Sequence, residues 1–138
     1  MADELLERIR EAYGAWNEGD LQHTLDFLDP EVQWKTSGSF PGVRKLYVGH
    51  DGFREFWEHL HEPFDEIHIE LESYDREGEF ALLRLRFHGK SVASGVDVDL
   101  PWFQVARFDG EQITESALNR SVGDALDALD VSDLWPEF

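Results

Sequence analysis

Residues 79–102, EFALLRLRFHGKSVASGVDVDLPW, decide the fold. Ala81, Leu83, Leu85 and Phe87 alternate with Arg84, Arg86 and His88; farther on, Val96, Val98, Leu100 and Trp102 alternate with Asp97 and Asp99. A period of two means extended chain with one dry and one wet face. The same pattern runs upstream, where Ile67, Ile69 and Leu71 alternate with His68, Glu70 and Glu72. It also runs downstream through Gln104, Ala106 and Phe108 to a turn at Asp109-Gly110. Strands are therefore expected over 66–75, 79–88, 94–108 and 112–119, an antiparallel meander.

The residues before the meander read differently. Leu5, Leu6, Ile9, Ala12, Tyr13 and Trp16 recur at helical spacing over 3–17, up to Gly19. Asp20 can cap a short second helix carrying Leu21, Leu25, Phe27 and Leu28, stopped by Asp29-Pro30. EVQWKT alternates as a strand with Val32, Trp34 and Thr36 on one face, and SGSFPGVRKLYVG (37–49) reads as a loop. A third helix is predicted over 51–61, with Phe53, Phe56, Trp57 and Leu60 on one side, and SVGDALDALDVSDLW (121–135) reads as a terminal helix or tail. Helices followed by a meander give an α+β class: a curved antiparallel sheet wrapped around N-terminal helices, one domain over 1–138.

Charge narrows the partners. Twelve basic residues against 30 acidic ones leave a net charge of −18, which repels phosphate backbones and anionic lipid, so neither nucleic acid nor a membrane surface is expected as a partner. The N-terminal stretch MADELLERIREAY has no apolar signal core, and no apolar run approaches the ~20 residues that span a bilayer. With no cysteine there is no disulfide and no thiolate metal site; a cytoplasmic setting is the expectation. His59 and His61, two apart on a helix, diverge by roughly 200° and cannot share a metal. His68 and His88 fall on the wet face, so no metal is expected. GVRKLYVGHDG lacks the spacing of a phosphate loop, and no cofactor is implied.

The two faces sort the candidate residues. A three-residue loop at 76–78 sets Glu70 opposite Arg84, and a four-residue loop at 90–93 sets Arg86 opposite Asp97 and Arg84 opposite Asp99. Asp97 and Asp99 then belong to a charged ladder on the wet face, unless a bulge near Pro101 turns Asp99 inward. If the hairpin after Gly110 returns in phase, Ile113, Glu115, Ala117 and Asn119 point inward beside Gln104. Gln104, Glu115 and Asn119 are then polar groups on an apolar face, and a buried Glu115 must be paired, protonated or wetted. Tyr13, Trp16, Trp34, Trp57 and Trp102 also face inward, either as core or as the wall of an aromatic pocket. Thr36 shares a face with Trp34, and His50 at the start of the third helix is either a pocket-mouth group or an ordinary loop residue.

Taken together, WNEGD, DPEVQW, YVGHDGFREFW, HGKSVASGVDVDLPWFQVARFDGEQI and DALDAL, in this order, resemble the SnoaL-like branch of the nuclear transport factor 2-like superfold. The resemblance covers nearly the whole chain and implies a cone with an apolar pocket at its open end, and a homodimer through the outer face of the sheet. Such folds include polyketide cyclases, ketosteroid isomerases and limonene epoxide hydrolases, as well as pocket proteins without known activity. The isomerase aspartate, tyrosine and protonated aspartate fall on Thr36, Ala12 (beside Tyr13) and Gln104, none of which keeps the required group, so that activity is rejected. ITESA (113–117) matches the Ile and Glu of the cyclases' I-V-E-H-W stretch, which keeps Glu115 as a pocket acid. The epoxide hydrolases' Asp-Arg-Asp trio is not assembled if Arg84, Arg86, Asp97 and Asp99 face outward.

Two readings follow. In one, a small, mostly apolar molecule undergoes cofactor-free acid/base chemistry, with Glu115 as the proton-transfer group and Gln104 and Asn119 orienting ligand or water. In the other, the same fold is a non-catalytic ligand-binding or dimerisation module. A cavity with a carboxylate at its base favours the first; an interior filled by tryptophans favours the second.

Overall fold

The computed structural model describes residues 4–38 and 42–137. Helix α1 (Glu4–Asn17) buries Leu5, Ile9 and Trp16, the stripe that the helical spacing predicts. Helix α2 (Leu21–Leu25) is capped by Asp20, whose carboxylate accepts from the backbone N–H of His23 at 3.1 Å. The helix is shorter than expected: strand β1 (Leu28–Thr36) begins at Leu28 and contains Asp29-Pro30. Pro30 is accommodated because pairing with the neighbouring strand is interrupted between Leu28 and Gln33. Strand β2 (Leu46–Val48), inside the segment read as a loop, pairs antiparallel with β1.

Helix α3 (Gly49–His61) presents Phe53, Phe56 and Leu60 to the core. Gly49 opens it with φ +74°, where a side chain would sit 3.1 Å from the Pro30 carbonyl. Then come β3 (Phe64–Glu77), β4 (Phe80–Ser91), β5 (Asp97–Asp109) and β6 (Gln112–Asn119). The six-stranded sheet has the order β2-β1-β6-β5-β4-β3, antiparallel throughout except for the parallel pair β1–β6. Helix α1 packs on β3 and α3 on β1, which encloses the inner face of the sheet.

The expected hairpin registers are corrected. The β3–β4 turn has two residues, Gly78 and Glu79, because Glu77 pairs with Phe80 and Gly78 takes φ +61°. With an irregularity between Leu71 and Ser73, Glu70 pairs with Arg86 instead of Arg84. The turn after β4 is longer than expected, closing with Ser91 N–H on the Val96 carbonyl at 2.9 Å, so His88 faces Asp99 and Lys90 faces Asp97. Val96 is an exposed turn residue, not an inner one.

A second apolar cluster lies on the other side of the sheet. Leu82 pairs with Val105, one step out of phase with the inward pair Leu83 and Gln104, so both point outward. Helix α4 (Val122–Ala128) and the 3₁₀ turn Ser132–Leu134 cover them with Ala125, Leu126, Val131 and Trp135. The Trp135 indole donates to Asp75 Oδ2 at 2.8 Å and anchors the tail.

Candidate functional site

The inner phase of β5 runs as the alternation predicts: Trp102, Gln104, Ala106 and Phe108 are all buried. An amide in that row must find partners, because an unpaired buried amide is costly. It finds one from α1 and one from β6. The Tyr13 hydroxyl donates to Gln104 Oε1, and Gln104 Nε2 donates to Ser116 Oγ at 2.8 Å. Helical spacing brings Tyr13 to the stripe that holds Ile9 and Trp16, and the β5–β6 register sets Ser116 opposite Ala106, two residues along from Gln104 on the same inner face.

Tyr13 and Gln104 of this neutral chain border a cavity of about 40 Å³, whose wall is, apart from Thr24, otherwise apolar and includes Trp16, Trp34, Phe53 and Trp102. At ~10–15 Å³ per water-sized group, it accommodates about three such groups. No carboxylate, imidazole, amine or guanidinium belongs to its described lining. Burial pushes the Tyr13 phenol well above its ordinary value, so it remains a protonated hydrogen-bond donor at neutral pH. A smaller cavity of about 20 Å³ lies beyond Trp102, Phe56 and Leu118, with Thr36 and Asn119 in its wall. Thr36 spends its hydroxyl on the Arg44 carbonyl.

Glu115 is a correction. Its expected inward position required the hairpin to return in phase, yet Arg107 pairs with Glu115 while Phe108 pairs with Ile113, leaving Thr114 as an extra residue. This β-bulge shifts the alternation by one, so that Ser116 and Leu118 take the inner positions and Glu115 and Ala117 the outer ones. Glu115 then lies 3.4 Å from Arg107 and 3.7 Å from Lys35. The β4–β5 register is continuous, so the alternative of a bulge near Pro101 does not arise, and Asp97 and Asp99 are exposed outside as the alternation predicts. Arg86 reaches Asp99 at 3.2 Å, His88 reaches the same carboxylate at 3.8 Å, and Glu72 sits between Arg84 and Arg86.

Of the other expected site residues, Trp57 stands behind the cavity wall, edge-on to Trp16 at 4.6 Å and stacked on His61. His50 bonds the Leu28 carbonyl through Nε2 at 2.8 Å and ties α3 to β1; it does not belong to the cavity's described lining, although Leu28 does. Among the described residues no group of three or more His, Asp or Glu side chains is arranged to hold a metal. Ser116 was missed. Its only sequence signal is a small polar residue between Glu115 and Ala117, and the bulge that turns it inward leaves no mark in the alternation.

Among curated protein sequences none matches this chain. Among solved structures it is similar to a nuclear transport factor 2-like protein of unknown function from Burkholderia pseudomallei, at 21% identity and a TM-score of 0.79 over 91% of this chain and 97% of that one. It is similar to TerC, co-crystallised with polyporic acid, at 16% identity and a TM-score of 0.79 over 96% and 98%. A ketosteroid isomerase-like fold from Catenulispora acidiphila, in complex with trimethylamine, is similar at 14% identity and a TM-score of 0.73 over 96% of each chain. These likenesses support the fold, and residues 9–116 match the SnoaL-like domain. With most of its length matched and the cone topology in place, the chain belongs to the SnoaL-like domain family.

Proposed function

We propose that the cone interior binds a small, mostly apolar molecule and holds it without proton transfer. The observation that carries this reading is the Tyr13–Gln104 pair, held from behind by Ser116, in a cavity whose wall is, apart from Thr24, otherwise aromatic and aliphatic. The carboxamide and the protonated phenol at the wall can orient a ligand by hydrogen bonds, with the Ser116 hydroxyl holding the carboxamide from behind. None of them is a general base at neutral pH. Glu115, the candidate acid or base, faces the opposite side of the sheet. Gln104 therefore serves as an orienting group, with Tyr13, Trp16, Trp34 and Trp102 as the binding surface and Thr36 and Asn119 at the adjoining cavity. Two folds of this kind hold small molecules, polyporic acid in TerC and trimethylamine in the Catenulispora protein.

Tryptophan fluorescence titrated with small cyclic hydrocarbons and ketones tests the reading. Saturable quenching is expected, weakened by Gln104→Leu and unaffected by Glu115→Gln. Chemical turnover of a bound compound that disappears in Glu115→Gln would overturn it.

We further propose that copies of this single domain pair through the outer sheet face in a cytoplasmic setting. The tail from α4 to Trp135 already covers the part around Leu82 and Val105. The free part is the charged ladder from Glu72 through Arg84 and Arg86 to Asp99. Sedimentation velocity of wild type and Arg86→Glu is the check: a dimer expected for the first and a monomer for the second. A wild-type monomer removes the proposal.

A further inference from the structure

The polar atoms around the cavity do not balance. The groups of Gln104 and Ser116 engage one another and the Tyr13 hydroxyl, and the Thr24 hydroxyl donates to the Asp20 carbonyl at 2.9 Å. The indole Nε1 atoms of Trp16 and Trp34 have no acceptor, although both rings line the cavity and the residues are only 4% and 5% exposed. An indole nitrogen only donates, and a buried donor without an acceptor is costly. The rings packed on Trp34, Phe53 edge-on at 4.9 Å and Phe56 at 5.7 Å, offer no lone pair; around Trp16 stand Phe53, Phe56 and Trp57, which offer none, and His61 at 5.9 Å, whose Nδ1 is bonded to the Trp57 carbonyl. The surplus at this site is therefore of donors.

Charge decides the rest. The described wall carries no cation to balance an anion, and the chain's net charge of −18 disfavours one further. A ligand that brings its own N–H or O–H adds to the donor excess. We infer that the cavity selects neutral molecules bearing a hydrogen-bond acceptor and no donor, small ketones foremost, whose oxygen is taken up by the indole N–H groups of Trp16 and Trp34. This rests on the reading of the interior as a ligand site and names its ligand class. The present volume holds few atoms, so binding parts the aromatic rings and lets the acceptor reach the donors.

Proton–nitrogen correlation spectra of the full chain test this, because each indole N–H gives its own signal, assigned by Trp16→Phe and Trp34→Phe. The probes are cyclopentanone, cyclopentane, cyclopentanol and tetramethylammonium chloride. Cyclopentanone is expected to bind roughly tenfold more tightly than cyclopentane, the worth of about one net hydrogen bond, and to move the Trp16 or Trp34 indole proton downfield. Cyclopentanol is expected to fall between them, and the ketone's advantage over cyclopentane is expected to collapse in the two phenylalanine variants. Equal binding of ketone and hydrocarbon, tighter binding of tetramethylammonium, or saturation by ketone with both indole signals unmoved overturns the inference and leaves the ligand-site reading intact. If no probe binds, that reading fails and the inference fails with it.

Discussion

The inner and outer faces of β5 and β6 are built from the same two strands and handle polar groups in opposite ways. Inside, Gln104 and Ser116 are buried, neutral and bonded to each other. Outside, Arg107 and Glu115 are charged, water-exposed in part and held at 3.4 Å. The difference follows from solvation: a desolvated amide needs only hydrogen-bond partners, whereas a desolvated carboxylate needs a counter-charge as well. One extra residue, Thr114, separates the two chemistries, because it decides which side of β6 receives Glu115.

Moving a carboxylate to the inner face is the strongest way to break the comparison. Ser116→Asp puts one beside Gln104, on the side of β6 that Glu115 avoids. An unpaired buried carboxylate costs about 3–5 kcal/mol, so a large fall in the thermal midpoint by circular dichroism is expected. Deleting Thr114 instead leaves Ile113 and Glu115 adjacent and on opposite faces, as they are now, and is expected to cost far less. A Ser116→Asp variant as stable as wild type would mean that the inner side of β6 is not desolvated.

Gln104→Leu probes the inner face alone. It leaves the Tyr13 and Ser116 hydroxyls unpaired at a cost of about 1–3 kcal/mol by urea denaturation. Adding Tyr13→Phe and Ser116→Ala is expected to return part of that loss, since replacing all partners removes the orphaned groups. A triple variant no more stable than Gln104→Leu would show that packing, not pairing, holds this row.

Tyr13 also gives the inner face a pH signature. Its phenol titrates above the ordinary value near 10 in the folded chain, so the native state keeps a proton that the unfolded state releases. The contribution is fully present below pH ~10 and is lost as pH rises above it, by up to ~1.4 kcal/mol per unit. Between about pH 10 and 11 wild type is expected to lose more stability than Tyr13→Phe. Parallel losses would mean that Tyr13 is not desolvated.

The outer face yields the smallest effects. Glu115→Gln and Arg86→Ala each remove partly exposed ion pairs and are expected to cost about 0–1 kcal/mol. Moderate salt is expected to raise the thermal midpoint by screening the −18 net charge. A midpoint that falls with added salt would instead make the cross-strand pairs the dominant surface term.

The sequence by itself determined the α+β class, the buried stripe of α1 and the faces of β4 and β5. These are local periodicities, with Leu83, Leu85, Trp102 and Gln104 in phase over several residues. It also placed Asp97 and Asp99 outside without knowing their partners, because parity survives an even slip in register. The turn lengths, and with them the true neighbours of Arg86 and His88, depend on cross-strand hydrogen bonds that alternation does not encode. Tertiary structure alone decided the side taken by Glu115, the arrival of Ser116 beside Gln104, and the tail that covers Leu82 and Val105. Each depends on where one residue too many, or one distant segment, is accommodated in three dimensions. A one-residue shift reverses a strand's faces, and nothing in the local pattern of ITESA marks that it occurs.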